Sequence, residues 1–143
     1  MTSLATNHRP QTPNHRIAVI GLGYVGLPLA RLFGTKFPTV GFDINRNRIA
    51  ELRKGIDSTL EVENEVLQSV LLTSNPTFLT PSIDHQSPTT DHRPPTNGLF
   101  CSSDLGDIAD CNVFVVTVPT PVDKNNRPDL TPLYKSSETV GKV

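Results

Sequence analysis

A short apolar run that breaks on a glycine constrains this chain more than any other feature in it. Residues 17–20 read IAVI and residues 21–26 read GLGYVG. Four apolar residues without alternation suit a strand buried on both faces. Beyond the glycines, Val25, Leu29, Leu32 and Phe33 recur at i, i+4, i+7 and i+8, which predicts a helix with that face inward. Pro28 is compatible with it because the first turn has N–H groups without intrahelical partners. Gly34 can end it.

Glycines spaced G-x-G-x-x-G between a strand and a helix have a specific physics. Gly21 permits the tight turn. Gly23, without a Cβ, lets a pyrophosphate approach the backbone. Gly26 lets the helix pack closely. The helix N-terminus then offers N–H groups and a positive dipole end to an anion. The next strand, TVGFD, closes on Asp43, 22 residues after Gly21. That is near the ~20 expected of an acid that accepts a hydrogen bond from a ribose 2′-hydroxyl. A carboxylate there repels a 2′-phosphate, so the pattern favours NAD over NADP. Arg46 and Arg48 are the cations that could still meet such a phosphate. The competing reading, an ordinary turn and a surface acid, fits the joint context and spacing poorly.

The rest of the chain keeps alternating. Asn45 can cap a second helix carrying Ile49 and Leu52, with Gly55 beyond its end. Val62, Val66, Leu67, Val70 and Leu71 predict a third helix over about 61–72. Residues 99–102, LFCS, read as a third strand, followed by a short helical stretch near 104–110. Residues 112–118, NVFVVTV, give the strongest strand signal, bounded by Pro119. Thr131 followed by Pro132 opens a last helix. The alternation predicts an α/β chain with a Rossmann-type, doubly wound parallel sheet and helices on both faces.

Composition excludes several alternatives. Thirteen Lys and Arg balance fourteen Asp and Glu, which gives no electrostatic case for nucleic acid or an anionic membrane. Two Cys make no disulfide scaffold. No apolar run nears the ~18 residues of a membrane span, and the first residues lack the apolar core of a secretory signal. The expected setting is cytoplasmic. Of thirteen Pro, seven lie in residues 1–15 and 73–97, which also hold all four His. Such composition buries too little apolar surface to offset ordering entropy. Residues 1–15 are therefore expected to be a disordered tail, and 73–97 a disordered surface insertion within a domain spanning 16–143. Asp84-His85 and Asp91-His92 could in principle meet a divalent metal. A loop without fixed geometry is a poor metal site, so no metal is expected.

Three stretches, RIAVIGLGYVGLPLA, VGFDINRNRIAELRKGIDSTLEV and FVVTVPTPVDKNNRPDLTPLYKSSETVGKV, resemble the start of the UDP-glucose/GDP-mannose dehydrogenase family. The likeness covers about residues 16–72 and 98–143 and is greatest to the nucleotide-sugar dehydrogenases that oxidise UDP-N-acetylhexosamines for polysaccharides. VPTPVDKNNRPDLTPL is not demanded by a generic dinucleotide fold. The resemblance implies two NAD-dependent steps that take the sugar C6 hydroxyl to a carboxylate. It implies cofactor binding by the turn Gly21, Leu22, Gly23, Tyr24, Val25 and Gly26, with Asp43 on the adenosine ribose and Arg48 beside it. Pro119 and Thr120 fall toward the nicotinamide side, and Ser102 or Ser103 is a weaker contact.

The departures bear on catalysis. The family's nucleophilic Cys lies in a later domain, and neither Cys101 nor Cys111 matches its motif; both read as buried apolar residues. The family's catalytic Lys and sugar-binding domain also have no counterpart, so no catalytic residue is assigned. A UDP-sugar partner then requires further domains, and the full-length relatives are expected to be homo-oligomers. Four strands are counted where a full dinucleotide fold uses six. The expectation is an incomplete cofactor domain, with its fourth strand at an open edge. The alternatives are a non-catalytic module that binds NAD or a subunit, and a different Rossmann enzyme such as a hydroxyacid dehydrogenase or a methyltransferase.

Overall fold

The computed structural model describes residues 15–77 and 96–143. Most of the expected tail and insertion, with both Asp-His pairs, lies outside the described residues. Four parallel strands, β1 (Ile17–Ile20), β2 (Pro38–Phe42), β3 (Gly98–Ser102) and β4 (Val113–Val116), form one sheet in the order β3-β2-β1-β4. β1 is central: Ile17 pairs with Thr39 of β2 and with Val113 of β4. Its lack of alternation has the predicted cause. Ile17 and Val19 enter one apolar cluster with Leu27, Ile49, Leu52 and Leu67, while Ala18 and Ile20 enter another with Val40, Phe42 and Ile108. The first cluster is covered by α1 (Gly26–Gly34), α2 (Arg46–Arg53) and α3 (Asn64–Gln68). The second is closed by a 3₁₀ turn at Leu105–Ile108 and by Val140 of α4 (Thr131–Val140). No helix among the described residues is long and apolar enough to cross a membrane.

Four local expectations are corrected. The inward face of α1 is Gly26, Leu27, Ala30 and Gly34, whereas Val25 and Leu32 are exposed. Close approach decides this where the helix meets β3: a Cβ on Gly34 would stand 3.1 Å from the Leu99 nitrogen, so a residue without a side chain faces the sheet there, while Leu27 fills the core nearer the start of the helix. The helix expected over 61–72 is only the five residues of α3. After it the chain turns extended, because the edge of β3 offers better partners: Leu99 N–H donates to the Val70 carbonyl at 2.7 Å and Leu72 N–H to the Leu99 carbonyl at 2.8 Å. The segment from 73 starts exposed at Thr73 and Ser74 but turns inward from Asn75. Thr77 is fully buried, and Asn75 Nδ2 donates to the Asp107 carbonyl at 2.7 Å. His15, assigned to the tail, packs edge-on against Phe37, ring centroids 6.0 Å apart.

Candidate functional site

A cleft of about 590 Å³ opens at the carboxyl ends of β1, β2 and β4, where ligands of such sheets bind. Its floor is the glycine turn. Gly21 has φ +97°, a left-handed conformation that a side chain would strain. A Cβ on Gly23 would meet nothing within 4 Å, so the space above it is open to a ligand. A Cβ on Gly26 would fall 1.7 Å from the Gly21 carbonyl oxygen and 2.5 Å from Thr117 Oγ1. The third glycine therefore packs the helix against the turn itself and the chain beyond β4. No side chain caps the N-terminus of α1; Leu27 N–H donates to the Gly23 carbonyl at 3.1 Å and Pro28 has no N–H, so the first turn offers an anion the Gly26 N–H and the positive end of the helix dipole. Open space at Gly23 and an uncapped helix end are what a dinucleotide pyrophosphate requires, so the residues present fit that group.

Leu22, at the centre of this turn, is held from both sides. Its N–H donates to Asp43 Oδ2 at 2.9 Å, and its carbonyl accepts from Arg48 Nε at 3.0 Å. Asp43 Oδ1 accepts from Asn45 N–H at 2.9 Å, and Asn45 Oδ1 accepts from the N–H of Arg48 at 3.2 Å. The four residues close a ring of hydrogen bonds between the turn and the start of α2. Each Asp43 oxygen keeps a further lone pair for a ribose hydroxyl. Thr117 holds the turn from the other side, with Oγ1 2.7 Å from the Gly21 carbonyl oxygen and 3.1 Å from that of Ile20.

Arg48 is more committed than the sequence suggested. Nη2 donates to Asp57 Oδ1 at 2.8 Å, and Nη1 reaches Glu51 Oε1 at 3.3 Å. Burial pushes the Asp57 carboxyl up, but hydrogen bonds from the Thr59 hydroxyl, the Val62 N–H, Arg48 and the Thr59 N–H outweigh it, and its pKa falls to about 2. Glu51 is also held below its usual range, chiefly by hydrogen bonds from Ser58.

Of the residues expected at the site, Gly21, Leu22, Gly23, Asp43, Arg48 and Pro119 line the cleft. Leu22 contributes its backbone, since its side chain is buried. Gly26 is buried behind the turn, while Tyr24 and Val25 are exposed beside it. Thr120 is exposed and lies outside the lining. Ser102 and Ser103 line a second cleft with Arg46, and the Ser102 hydroxyl is bonded to Asp107. Sequence reasoning missed Thr117 and Asp57. The signal for Thr117 was a hydroxyl inside an apolar strand, and for Asp57 an Asp-Ser-Thr turn after Gly55. Both thiols are buried in the core. Burial pushes Cys101 up to about 12, with Arg53 and Arg48 offsetting only part, and pushes Cys111 up to about 11. Among the described residues no group of His, Cys, Asp and Glu is arranged to hold a metal.

The chain is 48% identical over 128 residues to a UDP-N-acetyl-D-glucosamine 6-dehydrogenase of Pseudomonas aeruginosa, covering 90% of this chain and 24% of that relative. It is 41% identical to a UDP-N-acetyl-D-glucosamine 6-dehydrogenase of Salmonella typhi, again over 90% of this chain and 24% of the relative. Among solved structures, a UDP-D-ManNAc dehydrogenase from Pyrococcus horikoshii superposes with a TM-score of 0.62 at 27% identity, over 90% of this chain and 25% of that one. The chain thus spans about a quarter of the length of these relatives. Residues 15–92 match the model of the UDP-glucose/GDP-mannose dehydrogenase family, NAD binding domain. With its glycine turn, its acidic strand end and its 3-2-1-4 sheet, the chain belongs to that family as an NAD-binding domain of the Rossmann type.

Proposed function

We propose that this chain supplies the NAD site of a dehydrogenase that oxidises the C6 hydroxyl of a UDP-N-acetylhexosamine to a uronate for polysaccharide biosynthesis. The observation that carries the reading is the open space over Gly23, at the floor of a cleft whose rim is Asp43. The two bacterial relatives above, by name 6-dehydrogenases of UDP-N-acetyl-D-glucosamine, support the substrate class. Gly21 to Gly26 cradle the pyrophosphate, Asp43 accepts from the adenosine ribose, and Arg48 fixes the turn from beneath. Pro119 and Thr120 border the nicotinamide end. Bound NAD is the hydride acceptor; the chain's own part is to bind and orient it. A cytoplasmic setting agrees with two unpaired cysteines.

The same reading assigns no turnover to these 143 residues alone. The two cysteines of the chain are buried, with their thiols held far from ionisation, so neither can serve as a thiolate nucleophile. Titration calorimetry tests the binding site: Gly23→Val puts a branched side chain where the pyrophosphate lies and abolishes NAD binding. Unchanged affinity in that variant removes the assignment. Incubation of the purified chain with NAD and UDP-N-acetyl-D-glucosamine yields no NADH; its appearance refutes the division of labour.

A further inference from the structure

We infer that Asp57 is a positioning residue that sets the cofactor preference of the cleft, by holding the Arg48 guanidinium on Leu22 and away from a ribose 2′ substituent. The inference rests on the NAD site proposed above.

Asp57 is built as a fixed anion. Its side chain has no solvent exposure. Oδ1 accepts from Arg48 Nη2, from Thr59 N–H at 3.0 Å and from the Thr59 hydroxyl at 2.6 Å. Oδ2 accepts from the N–H groups of Glu61 at 2.9 Å and Val62 at 3.0 Å. A carboxylate so bonded cannot follow Arg48 if the arginine moves.

Arg48 shares the cleft with Asp43, whose position is that of the ribose acid. A 2′-phosphate beside Asp43 is tolerated only if a nearby cation turns toward it. Arg46 is exposed and lines the other cleft. Arg48 lies in the right cleft, but its guanidinium is spent on Leu22, Glu51, Asp57 and Thr59. Turning it outward would strand the buried Asp57 charge, a costly change. NADP is thus excluded twice, by repulsion from Asp43 and by the retention of Arg48. Neutralising Asp57 lifts the second exclusion. The arginine regains its full positive charge toward the cleft, and its grip on the Leu22 carbonyl loosens.

A purely structural role for Asp57 makes a different prediction, because damage to the fold weakens both cofactors together. Titration calorimetry with NAD and NADP on the 143-residue chain separates the two. Asp57→Asn is expected to lower NAD affinity about tenfold and to raise the NADP-to-NAD affinity ratio about tenfold, the scale of one charge-assisted contact. Glu51→Gln removes the more exposed carboxylate on the same guanidinium. It is expected to move the ratio the same way by about threefold with little cost to the fold. If Asp57→Asn does not fold, the Glu51→Gln ratio decides. A ratio unchanged from wild type in the folded variants overturns the inference, even if both affinities fall. Failure of the wild-type chain to bind NAD removes the site reading itself, and this inference with it.

Discussion

Single residues carry more than one duty at this site. Asp43 faces the cleft and also holds Leu22 N–H, so the acid that would meet the ribose also sets the shape of the phosphate turn. Asp57 binds the turn through Arg48, and its lowered pKa links that contact to acid stability. A carboxyl depressed from 3.8 to about 2 contributes stability that is complete above the unfolded value and is lost as pH falls through the folded one. Urea unfolding should show wild type losing stability steeply between those two values, and Asp57→Asn losing less over the same interval. An equal loss in both would assign the acid lability to other carboxylates. Gly21, Gly23, Gly26 and Asp43 were legible in the sequence because their spacing along one strand-helix-strand unit is their geometry. Asp57 was not, because its partner Arg48 lies nine positions back, in a different element, and only the folded turn brings the two together.

At the scale of elements, α2 transmits position from its cap to the cleft. Asn45 Oδ1 accepts from the N–H groups of Asn47 at 3.1 Å and Arg48 at 3.2 Å, as its place before the helix predicted. Asn45→Ala should cost about 1 kcal/mol by chemical denaturation. It should also weaken NAD binding in calorimetry, because the same helix turn carries Arg48. Lost stability with unchanged affinity would uncouple the cap from the site. Element existence and order could be read from apolar runs and caps, while faces and ends could not. Periodicity favoured the bulky Val25 and Leu32 for the inner face of α1, but that face is Gly26, Leu27, Ala30 and Gly34, with Gly26 pressed on the glycine turn and Gly34 on β3. The third helix stops early because β3 offers Val70–Leu72 a strand's hydrogen bonds, a long-range competitor that no local pattern contains.

For the molecule as a whole, the sheet edges differ. Leu71 bridges to Leu99 and covers one end of β3, while β4 lies at the other edge with Val116 38% exposed. An apolar, β-branched edge is a template for association. Light scattering should show concentration-dependent assembly of the chain that Val116→Lys suppresses; persistence in the variant would place the sticky surface elsewhere. The sequence by itself determined the fold class, the glycine turn after β1 and the acid that follows β2. Those depend on neighbours in the chain, through strand burial, glycine freedom and fixed spacing. Tertiary structure alone decided that Leu22 is gripped from both sides, that Thr117 clasps the turn, and that Arg48 is bound to a buried carboxylate. The first two join segments far apart in sequence and exist only once the sheet has brought the strand ends together; the third forms only when the loop after α2 folds back over that helix.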